Sequence, residues 1–454
     1  MISGVSMVNL APVINIALMG LIVALGPMMW VWLKTRATLA PVGFEGEEKL
    51  QSRRRLLLLS QITLFLTFDL LVFGAFTRLT DSGLGCPDWP GCYGHTSPTG
   101  ASAMIEGAQA LMPTGPVTHF KAWVEMIHRY LATGVGVLIL TIAVFTVSHQ
   151  YPRNLKLQSL LILFWVGLQG TFGALTVTMR LFPAVVTMHL MGAIILLILL
   201  TRFVMVQREW LGASNEGSIQ GEQSSSRSAQ DSALENNVHA QHIDKVSRVL
   251  TQVSQRLQGH QDGQTGLVGQ VAHDNYSQVA RNTCALLWVG LGIVLIQILL
   301  GGWVSTNYAV TACTSFPMCQ NSWWPLMNFR EGFELWRPLG LSSAGVNLNF
   351  EALTAIHYTH RLSAYVVFAF MCVLGYVLRK QDHYKTLGGL IWVLIALQVL
   401  TGVSNVVFQW PLVAAVMHTA GAAALVIVLT LGIKMGKMTR AHFHGAGELS
   451  KVIT

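Results

Sequence analysis

An acid and an imidazole that could do chemistry together lie three positions apart at Glu125 and His128, inside an apolar run long enough to cross a bilayer. Residues at this spacing share one face of a helix. A related stretch follows downstream, where His360 and Arg361 repeat the His-Arg pair and a histidine replaces the acid. An imidazole can bind a metal ion and a carboxylate beside it can move protons, so this stretch is the first candidate for a reactive site.

Two more histidines, His189 and His418, lie in later apolar runs at a comparable depth. His128 is about seven residues inside its run and His189 about six beyond Pro183, which places both roughly 10 Å below the outer membrane edge. Two imidazoles at one height on different helices suit a six-coordinate haem, whose iron takes one nitrogen from each side. A single intramembrane histidine is more often a buried hydrogen-bonding residue, but a matched pair in each half favours haem ligation. Zinc would need three or four close ligands, and this spacing offers two.

The composition is typical of a membrane protein. Of the 454 residues, 52% are hydrophobic and only 11% are charged, which is too apolar for a soluble domain. A helix needs about 20 apolar residues to cross the hydrocarbon, and the nine runs of this kind predict an all-α polytopic membrane protein. The runs lie at roughly 11–33, 56–76, 121–147, 157–177, 183–206, 283–303, 353–378, 386–408 and 411–434.

Most of the 29 Lys and Arg residues fall in the connecting segments of one membrane side. The positive-inside rule makes that side cytoplasmic, so the N-terminus should lie outside and the C-terminus in the cytoplasm. The net charge of +8 then reflects membrane orientation, and we expect membrane lipid and no nucleic acid as a partner. No basic residue precedes the first run, so we expect an uncleaved helix, no mitochondrial presequence and a bacterial inner membrane location.

A short cysteine loop follows the second apolar run. Cys86 and Cys92 have five residues between them, and Pro87 and Pro90 stiffen the segment. On the external, oxidising side of the membrane such a pair suits a small disulfide-closed loop. Free thiols that bind a metal ion are the alternative.

The second half of the chain repeats the first. One set recurs at a constant offset of 227 residues: Gly74, Cys86, Pro90 and Cys92 match Gly301, Cys313, Pro317 and Cys319. Another recurs at an offset of 229 residues: Gln169, Gly173, Met188, His189 and Gly192 match Gln398, Gly402, Met417, His418 and Gly421. Each half is therefore predicted to be a four-helix transmembrane bundle with a cysteine loop after its first helix. Because each bundle has an even number of spans, the two tandem bundles should keep the same orientation, and the first run is an extra N-terminal transmembrane helix.

This repeat defines the expected domains. They are the extra helix with its cytoplasmic connector at 1–55, the N-terminal bundle at 56–206, a polar cytoplasmic linker at 207–282, the C-terminal bundle at 283–434 and a cytoplasmic tail at 435–454. The linker is rich in Ser, Gln, Asn and Gly and cannot form a core of its own. Apolar spacing within it predicts a short surface helix at 242–258, and we expect its histidines to be solvated: His239, His242, His260 and His273.

Arg129 and Arg361 each follow a candidate histidine by about 100° of helix rotation. A guanidinium at this position could contact a haem propionate, or it could extend outward to the membrane interface. The sequence leaves both interpretations open. Gln169 and Gln398 are interpreted as packing residues.

Several of these motifs together resemble those of haem A synthase, a membrane enzyme family that converts haem O to haem A for cytochrome oxidase. The resemblance covers residues 56–206 and 283–434 and departs from the expected pattern at Asp81, where a small residue is expected. The motifs are Arg78-Leu-Thr, Gly85-Cys-Pro-Asp-Trp-Pro-Gly-Cys92, Glu125-x-x-His128-Arg129, His189, His360-Arg361 and His418.

The resemblance implies a division of labour between the two halves. It implies that His360 and His418 hold a resident haem b, while His128 and His189 receive the substrate haem O. The family oxidises a porphyrin methyl group to an aldehyde by successive hydroxylations, and its catalytic acid corresponds to Glu125. The resemblance also implies paired external cysteines and work beside haem O synthase. The electron donor is not identified, and a homo-oligomer is an open expectation.

Four membrane histidines also fit other functions. A two-haem transmembrane electron carrier, of the kind that exchanges electrons with quinones, would use the same ligands, and so would a haem transporter or chaperone. The asymmetry between the halves discriminates among these classes. A pure carrier has no need for a carboxylate at Glu125 beside one haem and a histidine at His357 beside the other.

Overall fold

Helices make up the long elements of the protein. The computed structural model describes the backbone of residues 11–36, 45–234 and 265–453, and the side chains of residues 12–36, 48–212, 278–279 and 281–436. Within these ranges there is no β-strand, only isolated bridges in the loops. The predicted all-α class is confirmed.

The helices are numbered here in chain order. They are α1 (Ala11–Arg36), α2 (Glu45–Leu79), α3 (Ser102–Leu111), α4 (His119–Ser148), α5 (Arg153–Thr178), α6 (Pro183–Leu234), α7 (Thr265–Thr306), α8 (Phe329–Gly332), α9 (Phe350–Arg379), α10 (Lys385–Val407) and α11 (Leu412–Ile453). Two short 3-10 helices, Ala309–Ala312 and Asp382–Tyr384, precede α8 and α10.

Nine helices in the described part of the chain are long and apolar enough to cross a membrane, one for each predicted run. The observed spans extend beyond the apolar runs. The second, for example, covers Glu48–Leu79, because the Arg-rich segment before the apolar residues is also helical. The chain is therefore a multi-pass membrane protein.

The helices that carry His128 and His360 begin in the same way. Thr118 precedes α4 and accepts a hydrogen bond from the Lys121 backbone N–H at 3.2 Å. Asn349 precedes α9 and accepts one from the Ala352 N–H at 2.8 Å. Such caps satisfy N–H groups that a helix start leaves unpaired, and they fix the residue at which each helix begins.

The extra helix α1 packs against α2 and α4. Two glycines permit a close approach. A Cβ added at Gly20 would lie 2.4 Å from Thr133 Cγ2, and one added at Gly134 would lie 2.7 Å from Val23 Cγ1. The helix outside the repeat thus supports α4, the helix that carries Glu125 and His128.

The backbone forms two compact units. The first comprises Met1–Gln207 and Leu287–Gly432, and every candidate site residue belongs to it. The second comprises Arg208–Leu286 and Ile433–Thr454, and within it Lys434 Nζ lies 3.0 Å from Glu209 Oε2. The site can therefore be described within the first unit alone.

Part of the polar segment at 207–282 is helical. Helix α6 continues to Leu234, and α7 begins at Thr265. The predicted helix at 242–258 lies outside the described residues. The side chains of the four predicted solvated histidines also lie outside the described side chains: His239, His242, His260 and His273.

Candidate functional site

The four candidate histidines form two pairs. His128 on α4 is close enough to His189 on α6 for their rings to interact electrostatically, and the same holds for His360 on α9 and His418 on α11. All four histidines are partly buried residues within membrane-spanning helices. The structure thus brings together, within each repeat, the two residues that the sequence predicts as partners.

A glycine on a neighbouring helix faces each of these rings. The distances from an added Cβ to the nearest ring atom are 3.1 Å for Gly74 and His128, 3.6 Å for Gly173 and His189, 2.9 Å for Gly301 and His360, and 3.2 Å for Gly402 and His418. A side chain at these positions would press on the imidazole. The recurring glycines of the sequence repeat therefore form clefts that the histidine rings occupy.

In the second repeat, both ligand candidates have a polar partner at Nδ1. Thr401 Oγ1 lies 2.9 Å from Nδ1 of His418. The side-chain amide of Gln297 lies 3.0 Å from Nδ1 of His360. Gln398, interpreted from the sequence as a packing residue, donates from Nε2 to the backbone carbonyl of His418 at 2.9 Å.

In the first repeat, no such partners occur among the described residues. Nδ1 of His189 is buried without a hydrogen-bond partner among the described residues. The His128 ring stacks on Phe73, with ring centroids 6.3 Å apart. Gln169 also differs from its counterpart Gln398, since neither of its buried amide atoms has a partner in the described part of the protein.

Glu125 is buried one helical turn before His128, with only 4% of its surface exposed. Its Oε1 lies 2.5 Å from Nη2 of Arg129, and its Oε2 accepts the Cys86 backbone N–H at 2.8 Å. The carboxylate thus joins the helix of His128 to the cysteine loop. At the corresponding position of the second repeat, His357 Nε2 accepts a 3.3 Å hydrogen bond from Nε of Arg361.

Arg129 and Arg361 are both buried and hold the cysteine loops. Nη1 of Arg129 donates to the carbonyls of Asp88, Pro90 and Gly91 at 3.0, 3.1 and 2.5 Å. Arg361 donates to the loop of the second repeat, to the Ser315, Met318 and Cys313 carbonyls at 2.7, 3.2 and 2.8 Å. Sequence reasoning missed this role. Contact with haem propionates stays a prediction for both residues.

Both predicted cysteine pairs are disulfides. Cys86 is bonded to Cys92 with an S–S distance of 2.08 Å, and Cys313 to Cys319 at 1.96 Å. The first loop packs tightly on the start of α4, where a Cβ added at Gly85 would lie 2.4 Å from the Lys121 backbone. Each repeat therefore has a disulfide-closed loop at the N-terminal end of the helix that carries its first histidine. This helix is α4 in the first repeat and α9 in the second.

Asp81, the departure from the expected pattern, has a structural role. Its Oδ1 accepts hydrogen bonds from Tyr308 Oη at 2.6 Å and from Nη1 of Arg78 at 3.2 Å. Arg78 also donates from Nη2 to the Ser305 carbonyl at 2.5 Å, and its guanidinium lies 4.1 Å from the centre of the Tyr308 ring. These contacts join the two repeats, and the sequence motifs did not indicate them.

The residues present fit an iron porphyrin. Each repeat offers two imidazoles on different helices, which is the ligand set of a six-coordinate haem. Each imidazole lies in a cleft that a Cβ on the facing glycine would close, and the unpartnered Nδ1 of His189 leaves that ring free to orient toward a ligand. The described residues contain no group of three or more His, Cys, Asp or Glu placed to hold a bare metal ion.

Comparison with known proteins places these features in context. The model of the family COX15-CtaA, described as "Cytochrome oxidase assembly protein", matches residues 57–230 and 258–430. The protein named "Heme A synthase" of Shewanella oneidensis is 33% identical over 371 residues, which are 82% of this chain and 93% of that protein. The protein of the same name from Caulobacter vibrioides is 26% identical over 393 residues, or 80% and 91% of the two chains. A further one, from Sinorhizobium medicae, is 35% identical over 124 residues, or 25% and 34%.

Proposed function

The chain belongs to the COX15-CtaA family of cytochrome oxidase assembly proteins, and from that premise we propose that it is a haem A synthase. The reaction is oxidation of a methyl group of haem O to a formyl group by successive hydroxylations. One observation carries this proposal: a haem A synthase is 33% identical to this chain over 82% of its length and 93% of that relative. The residues that the family model matches, 57–230 and 258–430, include all four candidate histidines. The protein is thus an oxidoreductase of haem A biosynthesis.

The proposed architecture is two tandem four-helix transmembrane bundles of the same orientation, with α1 as an extra helix. The internal repeat supports it, as does the pairing of histidines within each repeat. We place the N-terminus and the cysteine loops on the outer side of a bacterial inner membrane, and the C-terminus in the cytoplasm. The basic residues of the connecting segments support this orientation.

The two haem sites have different tasks in this proposal. His360 and His418 hold a resident haem b, and His128 and His189 bind the substrate haem O. Bound haem supplies redox-active iron, which the side chains of this chain cannot supply. The histidines bind and orient it, while the apolar helices around them exclude water.

Glu125 is proposed to handle protons in the first repeat. It is the only acid of the Glu-x-x-His-Arg motif, and its counterpart in the second repeat is His357. Its Oε2 lies on the cysteine-loop side, where it accepts the Cys86 N–H. A proton delivered to or taken from this oxygen would move one helical turn from His128. General acid–base catalysis of this kind typically raises a reaction rate by roughly 10² to 10⁴.

Partners follow from the reaction. Haem O synthase would supply the substrate from within the membrane, and an electron donor must supply reducing equivalents for the hydroxylations. Membrane lipid surrounds the helices. A homo-oligomer is compatible with the exposed apolar faces of the spans but is not required by the reaction.

The test is the porphyrin content of a cell membrane with and without this protein. Haem A should appear only in its presence, together with a loss of haem O. A two-haem electron carrier or a haem transporter would leave the porphyrin side chains unchanged, so the absence of haem A would refute the proposal.

A further inference from the structure

The two histidine pairs differ in the hydrogen-bond partners of their Nδ1 atoms. We propose that Thr401 and Gln297 are positioning residues that fix His418 and His360 in the tautomer needed to bind iron. We propose in addition that the first repeat lacks such residues so that its haem can leave. This inference rests on the proposed function, since it assumes a resident haem in the second repeat and an exchanging one in the first.

Thr401 defines the tautomer of His418 by its own hydrogen bonds. Its hydroxyl lies 2.7 Å from the Leu397 carbonyl and 2.9 Å from Nδ1 of His418. A hydroxyl has one proton to donate, and a carbonyl can only accept it. The lone pairs of Thr401 Oγ1 therefore accept the Nδ1–H of His418. A neutral imidazole with its proton on Nδ1 has a free lone pair on Nε2, which is the atom left to bind iron.

Gln297 can do the same for His360. An amide offers either its oxygen or its nitrogen, and the two are assigned from the hydrogen-bond network. Gln297 Oε1 is buried without a partner in the described part of the protein. With the oxygen turned to the position 3.0 Å from Nδ1, it accepts the Nδ1–H of His360. Because Oε1 would then also lie 3.1 Å from the His360 carbonyl oxygen, and both atoms are acceptors, the amide must turn away from that carbonyl, whose hydrogen bond α9 supplies.

The corresponding positions of the first repeat cannot accept a hydrogen bond. The repeat offsets place Phe172 where Thr401 stands and Leu70 where Gln297 stands. In agreement, Nδ1 of His189 is unpartnered among the described residues. The glycine clefts do not explain the difference between the repeats, because all four histidines have one.

This difference suits the two proposed tasks. Partners at the distal nitrogen of a ligand histidine fix its orientation and strengthen it as a donor, and their loss typically lowers metal affinity about 10- to 100-fold. A resident cofactor benefits from that added affinity. A substrate haem must be released after it has been oxidised, so the same affinity would delay turnover.

Thr401→Val tests the proposal in the full-length protein. Valine has nearly the same shape but no acceptor, so haem b should transfer to excess apomyoglobin about 10- to 100-fold faster and its midpoint potential should rise. Thr401→Ser, which keeps the hydroxyl, should retain the wild-type rate and potential. Thr430→Val is the matched control, because Thr430 is equally buried on α11 and bonds only the Val426 carbonyl. An unchanged potential and transfer rate in Thr401→Val would overturn the proposal.

Phe172→Thr is the reciprocal variant. It gives His189 the acceptor that His418 has, so haem O or haem A bound in the first repeat should transfer to apomyoglobin more slowly than from the wild type. Equal or faster transfer would contradict the proposal for the first repeat.

His360→Ala separates this inference from the proposed function. If that variant keeps an unaltered six-coordinate haem b, the assignment of haem b to the second repeat fails, and the inference fails with it. If haem b is lost in His360→Ala but Thr401→Val behaves as wild type, only the inference fails.

Discussion

Tyr308 donates its hydroxyl proton to Asp81 across 2.6 Å, and the two residues occupy equivalent positions of the internal repeat, 227 residues apart. Arg78 and Ser305 form a second contact between equivalent positions, at the same separation. Both Asp81 and Tyr308 also have positive φ, at 52° and 54°. Contacts between equivalent positions are what an axis relating the two repeats would produce, so these residues support the proposed same-orientation repeat.

Tyr308→Phe should weaken the junction between the repeats. The variant keeps the ring and its contact with Arg78 but loses the hydrogen bond to Asp81. Because both side chains are partly exposed, the expected loss is small, about 0.5 to 1 kcal/mol in the free energy of unfolding. Thermal unfolding of the purified protein in detergent measures it, with Tyr376→Phe on the surface of α9 as the control. An additive double variant with Asp81→Asn would show that the two residues are not coupled.

The same tyrosine should make the protein sensitive to alkali. Burial chiefly raises the pKa of Tyr308, and Asp81 raises it further, while Arg78 lowers it. A phenol whose pKa is higher in the folded protein than in the unfolded chain stabilises the fold below its unfolded pKa of about 10, and this contribution is lost as the pH rises further. Unfolding temperature should therefore fall less between pH 9 and about pH 11 in Tyr308→Phe than in the wild type. Equal losses in both would contradict the assignment.

Gly301→Ala should disturb His360, the proposed haem b ligand. The added Cβ would lie 2.9 Å from Cε1 of His360, which is too close for either atom to remain in place. The ring must shift, so we expect loss or conversion of the six-coordinate haem b spectrum. Gly292→Ala is the control on the same helix, because an added Cβ there meets no atom within 4 Å. Full haem b content in both variants would mean that the cleft does not position the ring.

The cysteine loops should be accessible from outside the cell. Thiol labelling of intact cells after reduction should reach Cys86, Cys92, Cys313 and Cys319, because the basic segments predict an external position for these loops. Cys284, which is buried and lies at the opposite end of its span in the predicted topology, should remain unlabelled in intact cells and serves as the control. Labelling of the loops only after lysis would reverse the orientation.

The sequence predicted the parts of the site that depend on periodicity. Nine spans, the paired histidines and both disulfides follow from apolar run length, matched depth and the constant offsets of the repeat. The role of Arg129 in holding the cysteine loop was missed because its partners are carbonyls of a loop whose path is set by the tertiary fold. Thr401 was missed for a different reason: a threonine in an apolar helix usually bonds its own backbone, and only the packing of α10 against α11 places it beside His418.

The disulfide loop, the buried ion pair and His128 meet at Glu125, which therefore has two competing roles. As a structural residue it pairs with Arg129 at 2.5 Å and accepts the Cys86 N–H at 2.8 Å. As a proton-handling residue it would exchange a proton at Oε2 during turnover. Glu125→Gln keeps the shape and can still accept the Cys86 N–H, but it cannot exchange protons as a carboxylate does.

If Glu125 handles protons, Glu125→Gln should keep the six-coordinate haem b spectrum and lower haem A production by roughly 10² to 10⁴. If it is only an ion-pair partner, the loss arises from the unpaired guanidinium, since breaking a buried pair typically costs about 3 to 5 kcal/mol. That cost would appear as a lower unfolding temperature. Adding Arg129→Gln removes the unpaired charge but also the hydrogen bonds to the Asp88, Pro90 and Gly91 carbonyls, so Arg129→Gln alone is the reference. Under the structural role the double variant should match Arg129→Gln alone in both stability and haem A production. Haem A production in the double variant equal to that of Arg129→Gln alone would end the proton-handling proposal. We expect equal stability in the two variants, with production lower in the double variant.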